Sequence, residues 1–177
     1  MSSTLLPHSG VAQPAGSEFH RASVAVLAPL SAVRFCMVVP DDCAPAVRAH
    51  AVVPFTPKLQ DTIAATNAAV NGGIKPAPGR AALGRLQAWT VSPADGNCND
   101  YAITKRHHLL KAGLPAGALL LAMVRTSAGE SHLVLVVRSG VGDLVLDNLT
   151  ADILPWEQTG YRLIKRQSPA GPLSWVS

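Results

Sequence analysis

After Pro115 the apolar residues of this 177-residue chain stop recurring every three or four positions. They fall instead into short runs of Leu and Val at 118–125, 132–138 and 143–147, which read as strands. The turns between them contain Ala128-Gly129 and Gly140-Val141-Gly142, short enough for hairpins. Further strands are predicted at 161–166 and near Trp175. Upstream the period is helical. Leu59, Ile63, Thr66, Val70 and Ile74 share one face, and Gly72-Gly73 with Pro76 stop that helix. A second helix is predicted over 98–112, with Asn97 as N-cap and Asp100 as the first-turn carboxylate. Ala102, Ile103, Leu109 and Leu110 form its apolar side, and Gly113 followed by Pro115 ends it. Helices followed by an antiparallel meander define an α+β fold with N-terminal helices packed on one side of the sheet.

The first 57 residues read differently. Pro7, Pro14, Pro29, Pro40, Pro45, Pro54 and Pro57 remove backbone donors and fix φ, which disfavours long helices and inner strands. Residues 1–57 are therefore expected to be an irregular arm, with 33–39 adding an edge strand, and 58–177 to be the folded domain. Ala22 to Val33 has the apolar character of an export leader, yet Pro29 interrupts it and no small-x-small cleavage site follows.

Composition narrows the function. Hydrophobic residues make up 48 % and charged residues 15 %, which excludes a disordered polyelectrolyte. No run of about 18 uncharged apolar residues occurs, so no transmembrane helix is expected. The net charge of +4 is scattered, and only Arg162, Lys165 and Arg166 cluster. Nucleic-acid binders carry denser basic stripes with interleaved aromatics, so nucleic acid is not an expected partner.

Three cysteines are present, an odd number. Cys36 and Cys43 are seven positions apart around Pro40-Asp41-Asp42. If that segment turns back, a disulfide closes it; otherwise both are free thiols. Cys98 opens the second helix, where unpaired N–H groups and the macrodipole favour an anion. It is either a nucleophile or an inert buried thiol. His132 opens a strand, where a structural or solvent-facing role is the common one. Asp147 ends the next strand, where it either caps a turn or serves a partner. If 132–138 pairs with 143–147, the His and Asp lie at one end of a hairpin. The carboxylate would then hold the imidazole Nδ1–H while the other nitrogen takes the thiol proton.

The stretch Gly96-Asn-Cys-Asn-Asp-Tyr-Ala-Ile-Thr-Lys105 resembles the Gly-Asp-Cys-Glu-Asp-Tyr-Ala-Ile-x-Lys motif of the bacterial transglutaminase-like cysteine proteinases, whose LapG-type members are periplasmic. The resemblance continues through Gly113-Leu-Pro115, His132-Leu-Val-Leu and Leu144-Val-Leu-Asp-Asn148, and includes Trp89, Trp156 and the element at 35–43. It implies a papain-like, transglutaminase-like fold. It implies Cys98 as nucleophile, His132 as general base and acid, and Asp147 as the orienting residue. It favours export and a Cys36–Cys43 disulfide. It also implies a protein substrate such as a surface adhesin, an inner-membrane receptor as regulator, and calcium.

Two departures qualify this. Asn97 and Asn99 stand where the family pattern is acidic, leaving Asp100 as the nearest carboxylate for a metal. Calcium gains affinity from ligand charge, so its binding is in doubt, and thiol chemistry itself requires no cofactor. The segment between Trp89 and Cys98 is also shorter than the family's. An oxyanion donor beside the Cys98 N–H is expected from Gln87 or Trp89. Peptide hydrolysis is the leading function. Acyl transfer to an amine by the same triad and a non-catalytic protein-binding module are the alternatives.

Overall fold

A computed structural model describes residues 18–45, 51–77 and 89–177. The predicted meander is its centre: β4 (Leu119–Arg125), β5 (Ser131–Ser139) and β6 (Gly142–Leu146) run antiparallel. They are joined by β7 (Leu154–Pro155), β8 (Arg162–Ser168) and β9 (Gly171–Val176). With β1 (Ala25–Val26) they make a seven-stranded sheet in the order β1-β9-β8-β4-β5-β6-β7. β4, β5 and β6 read as nearly continuous apolar runs because both their faces are covered.

One face meets the helices. Leu119, Leu121, Leu133, Leu135, Val137, Leu144 and Leu146 pack there. Opposite them lie Ala32 and Phe35 of α2 (Leu30–Val38), Leu59 and Ile63 of α3 (Pro57–Gly73), and Ala102, Ile103 and Leu109 of α4 (Cys98–Lys111). The other face, with Leu120, Val124, Val134, Val136 and Val145, is covered by Phe19 and Trp156, whose rings lie 4.8 Å apart. Burying each Val or Leu contributes about 1.5–3 kcal/mol, so this double-sided sheet is the main source of stability.

Residues 33–39 were expected as an edge strand, and the structure makes them helical instead. Pro29 sits just before α2 and Pro40 just after it, so neither interrupts its hydrogen bonds. Ala32 and Phe35, three apart, bury on the sheet. The arm is tied down by polar contacts as well. Arg166 of β8 donates to the Phe19 carbonyl at 2.6 Å and to that of Ala22 at 3.1 Å, while lying over the Phe19 ring. The leader-like stretch therefore contributes β1, paired with β9, and the start of α2.

Cys36 and Cys43 are disulfide-bonded, with Cα atoms 5.4 Å apart across a 3₁₀ turn at Pro40–Cys43. That turn docks on the middle of α4. Arg106 donates to the Asp42 carbonyl at 2.7 Å and to that of Leu119 at 3.1 Å, and His107 Nδ1 meets the Asp42 carboxylate at 2.9 Å.

Candidate active site

α4 begins where a tight capping arrangement makes it begin. Asn97 accepts from the Asn99 N–H at 2.9 Å, and Asp100 reaches back to accept from the Asn97 N–H at 3.0 Å. The other Asp100 oxygen accepts from the Thr90 N–H at 2.9 Å, which ties the incoming loop to the helix. Gly96 permits this: a Cβ there would lie 2.8 Å from both Cβ and Oδ2 of Asp100. Parallel pairing of β2 (Lys75–Pro76) with β3 (Asp95–Gly96) holds the approach, and the Tyr101 hydroxyl donates to the Ile74 carbonyl at 2.5 Å. Cys98 is thereby fixed at the first helical position, partly exposed, and is the free cysteine.

His132, at the start of β5, and Asp147, just past β6, lie at the same end of one hairpin. They are not directly opposite. The pairs Ser139↔Gly142 and Leu135↔Leu146 put Asp147 beside Val134, diagonal to His132 and two positions off. The imidazole meets the carboxylate through Nε2, at 2.7 Å from Oδ1, rather than through the Nδ1 expected from sequence. Nδ1 is then the nitrogen left for Cys98, which lies within hydrogen-bonding reach of the ring. Burial alone would lower the His132 pKa. Hydrogen bonds and charge from Asp147 and Cys98 outweigh it and raise the value to about 9.

Asp147 is the most heavily solvated carboxylate of the site, though protein atoms do the solvating. Burial would raise its pKa, but the His132 interaction, the Tyr161 hydroxyl and backbone donors hold it below the usual range. Oδ1 accepts from the N–H groups of Asn148 and Leu149 at 2.6 and 3.1 Å. The Tyr161 hydroxyl donates to Oδ2, and its ring lies edge-on to the imidazole at 5.9 Å. From α3, Asn71 Nδ2 donates to the Asp147 carbonyl at 2.8 Å. Sequence reasoning missed Tyr161 and Asn71. Only two tyrosines are present, and one opening a predicted strand was the available signal.

The remaining candidates are placed differently. Trp89 is buried in the helix-side core, 6.3 Å from the Phe35 ring, one residue before the Thr90 amide that binds Asp100. Gln87 lies outside the described residues. Asp100, the carboxylate left for a metal, is 5 % exposed and has both oxygens engaged by backbone N–H groups. Its neighbours Asn97 and Asn99 are neutral amides, and among the described residues no group of three or more His, Cys, Asp or Glu could hold a metal. Asp100 is thus the one charged oxygen donor of the three, and calcium, a hard cation, gains affinity from ligand charge.

A helix-borne cysteine beside a histidine and an aspartate of an antiparallel sheet defines the transglutaminase-like variant of the papain fold. The model of the bacterial transglutaminase-like cysteine proteinases matches residues 22–177, and the chain belongs to that family. Three solved structures of Legionella pneumophila LapG share the fold. The calcium-bound form is 18 % identical with a TM-score of 0.50, covering 61 % of this chain and 64 % of its own. The EGTA-treated form is 21 % identical with a TM-score of 0.51, covering 61 % and 62 %. A third is 21 % identical with a TM-score of 0.50, covering 61 % and 63 %. The match thus spans less than two thirds of those chains. No curated protein matches in sequence.

Proposed function

We propose that this chain hydrolyses peptide bonds with Cys98 as nucleophile, His132 as general acid and base, and Asp147 as the residue that orients and charges His132. One observation carries the reading: a single imidazole engages Asp147 through one nitrogen and lies within reach of the Cys98 thiol. His132 takes the thiol proton, giving a thiolate–imidazolium pair. The thiolate attacks the peptide carbonyl carbon, forming the C–S bond. As the tetrahedral intermediate collapses, the C–N bond breaks and His132 gives its proton to the leaving amine. Water then attacks the thioester, losing a proton to His132. The C–S bond breaks, releasing the carboxylic acid and restoring the pair. The Cys98 N–H, at the first position of α4, is one of the amides no helical carbonyl accepts and is a suitable oxyanion donor.

A protein of the cell envelope is the proposed substrate and the periplasm the proposed compartment. The Cys36–Cys43 disulfide supports this, since such bonds persist in oxidising compartments. The test compares protein N-termini in the envelope of cells carrying the wild-type chain or Cys98→Ala. New N-termini are expected only with the wild type. Identical sets from both would refute the proposal.

A further inference from the structure

One wholly buried ionisable side chain of α4 is left unused by the chemistry above. Lys105 follows Cys98 by seven positions on α4, so both project from one face, about 10 Å apart along the axis. Helical side chains lean toward the N-terminus, which carries its ammonium toward the site. Lys105 is wholly buried, and its Nζ has no hydrogen-bond partner among the described residues. The carboxylate that acts on it is that of Asp147. On the other side of that residue, Asn71 donates to the Asp147 carbonyl while its Oδ1, like that of Asn67, has no partner. A buried charge without hydrogen bonds is costly to a core, so its presence calls for a use.

Resting on the proposed triad, we propose that Lys105 is a positioning residue whose ammonium holds Asp147 as the carboxylate and balances the charge of the Cys98 thiolate. The count closes. His132 imidazolium and Asp147 carboxylate cancel, the thiolate adds one negative charge, and Lys105 restores neutrality in a site that water screens poorly. The charged group that acts on Lys105 is Asp147, from the loop after β6, which is itself paired with His132 of β5. The α3 side brings the amides Asn67 and Asn71. Burial draws the Lys105 ammonium down to about 7, against the pull of Asp147, so its charge is present below that pH and lost above it.

The test is the rate at which iodoacetamide alkylates Cys98 in the full chain at pH 6 and pH 9. It compares wild type, Lys105→Met, Lys105→Gln and His132→Ala. Methionine keeps the length of the side chain without the charge, and the Gln variant serves as a second, polar replacement. Loss of one charge about 10 Å away is expected to slow alkylation about tenfold at pH 6 in both Lys105 variants. At pH 9, where the wild-type lysine is itself neutral, the rates should agree within about twofold. Equal rates at pH 6, or the same fractional loss at both pH values, would overturn the proposal. If His132→Ala is as fast as wild type, the triad itself fails, and this inference with it. If His132→Ala is slow while the Lys105 variants match wild type, only the role of Lys105 fails.

Discussion

Asp147→Asn isolates the charge of the site from its shape. Asparagine keeps an oxygen that can accept from His132 Nε2 and from the Asn148 and Leu149 amides, and its NH₂ can donate to the Tyr161 oxygen. What disappears is the negative charge. In the wild type His132 is raised from 6.5 to about 9, although burial pulls the other way. The net gain is about 2.5 units, or roughly 3 kcal/mol at about 1.4 kcal/mol per unit. Asp147 supplies the largest share of it through hydrogen bond and charge. Without that charge, burial dominates, and the His132 midpoint should fall by at least about two units. Imidazole ¹⁵N shifts followed against pH, assigned with His132→Gln, read this directly. Stability gives a second readout. A raised histidine stabilises the fold fully below pH 6.5 and loses that contribution as pH rises through about 9. The Tm gap between wild type and Asp147→Asn should therefore narrow from pH 6 to pH 10. Peptidase turnover at pH 7 should fall at least about tenfold, because most of the imidazolium is lost. A His132 midpoint within half a unit of wild type would refute the electrostatic account, whatever happens to turnover.

Tyr161→Phe removes the O–H donor to Asp147 Oδ2 and should cost about 1 kcal/mol, seen as a roughly fivefold fall in kcat with KM unchanged; unchanged kcat would make the contact incidental. Replacing both Cys36 and Cys43 by serine opens a loop of seven-residue separation and should lower stability by about 2–3 kcal/mol in urea under non-reducing conditions. An unaltered midpoint would mean that docking on α4 alone holds the arm. Because both Asp100 oxygens are engaged by backbone amides, millimolar calcium or EGTA should move the Tm by less than about 1 °C. A rise of several degrees, the size mass action gives for a site well above saturation, would show that other oxygens bind the ion.

How far the sequence reveals this site depends on how local each determinant is. The start of α4 was legible because Gly96, Asn97 and Asp100 act on one another within five positions, and a capping box is a local object. The meander was legible because the Gly140-Val141 loop between Ser139 and Gly142 leaves little freedom in the pairing. That brought His132 and Asp147 to one end. Their diagonal offset follows from register, and the contact through Nε2 follows from how the ring is turned toward Asp147. Tyr161, just before β8, and Asn71 of α3 lie 14 and 76 positions from Asp147, and no spacing rule links them. The helix at 30–38 was hidden for a different reason. Its Val and Phe residues favour strands, and burial of Ala32 and Phe35 with docking of the following turn overrides that preference.

The same docking explains why a proline-rich segment matters to chemistry at Cys98. A nucleophile at the first position of a helix is only as well placed as the helix, which can slide along or rotate on the sheet unless something stops it. At its front, the Thr90 and Asn97 amides hold it through Asp100. Two turns later, Arg106 bridges the Asp42 and Leu119 carbonyls and so joins the arm, α4 and β4 in one contact. Burial lowers the Arg106 pKa to about 10, against the Asp42 charge, yet leaves it a cation at neutral pH. The Cys36–Cys43 bond then fixes the turn that presents Asp42. Loosening the arm should therefore show first as scatter in the Cys98–His132 distance, as reduced alkylation in protein whose sheet is still intact, before any loss of the fold.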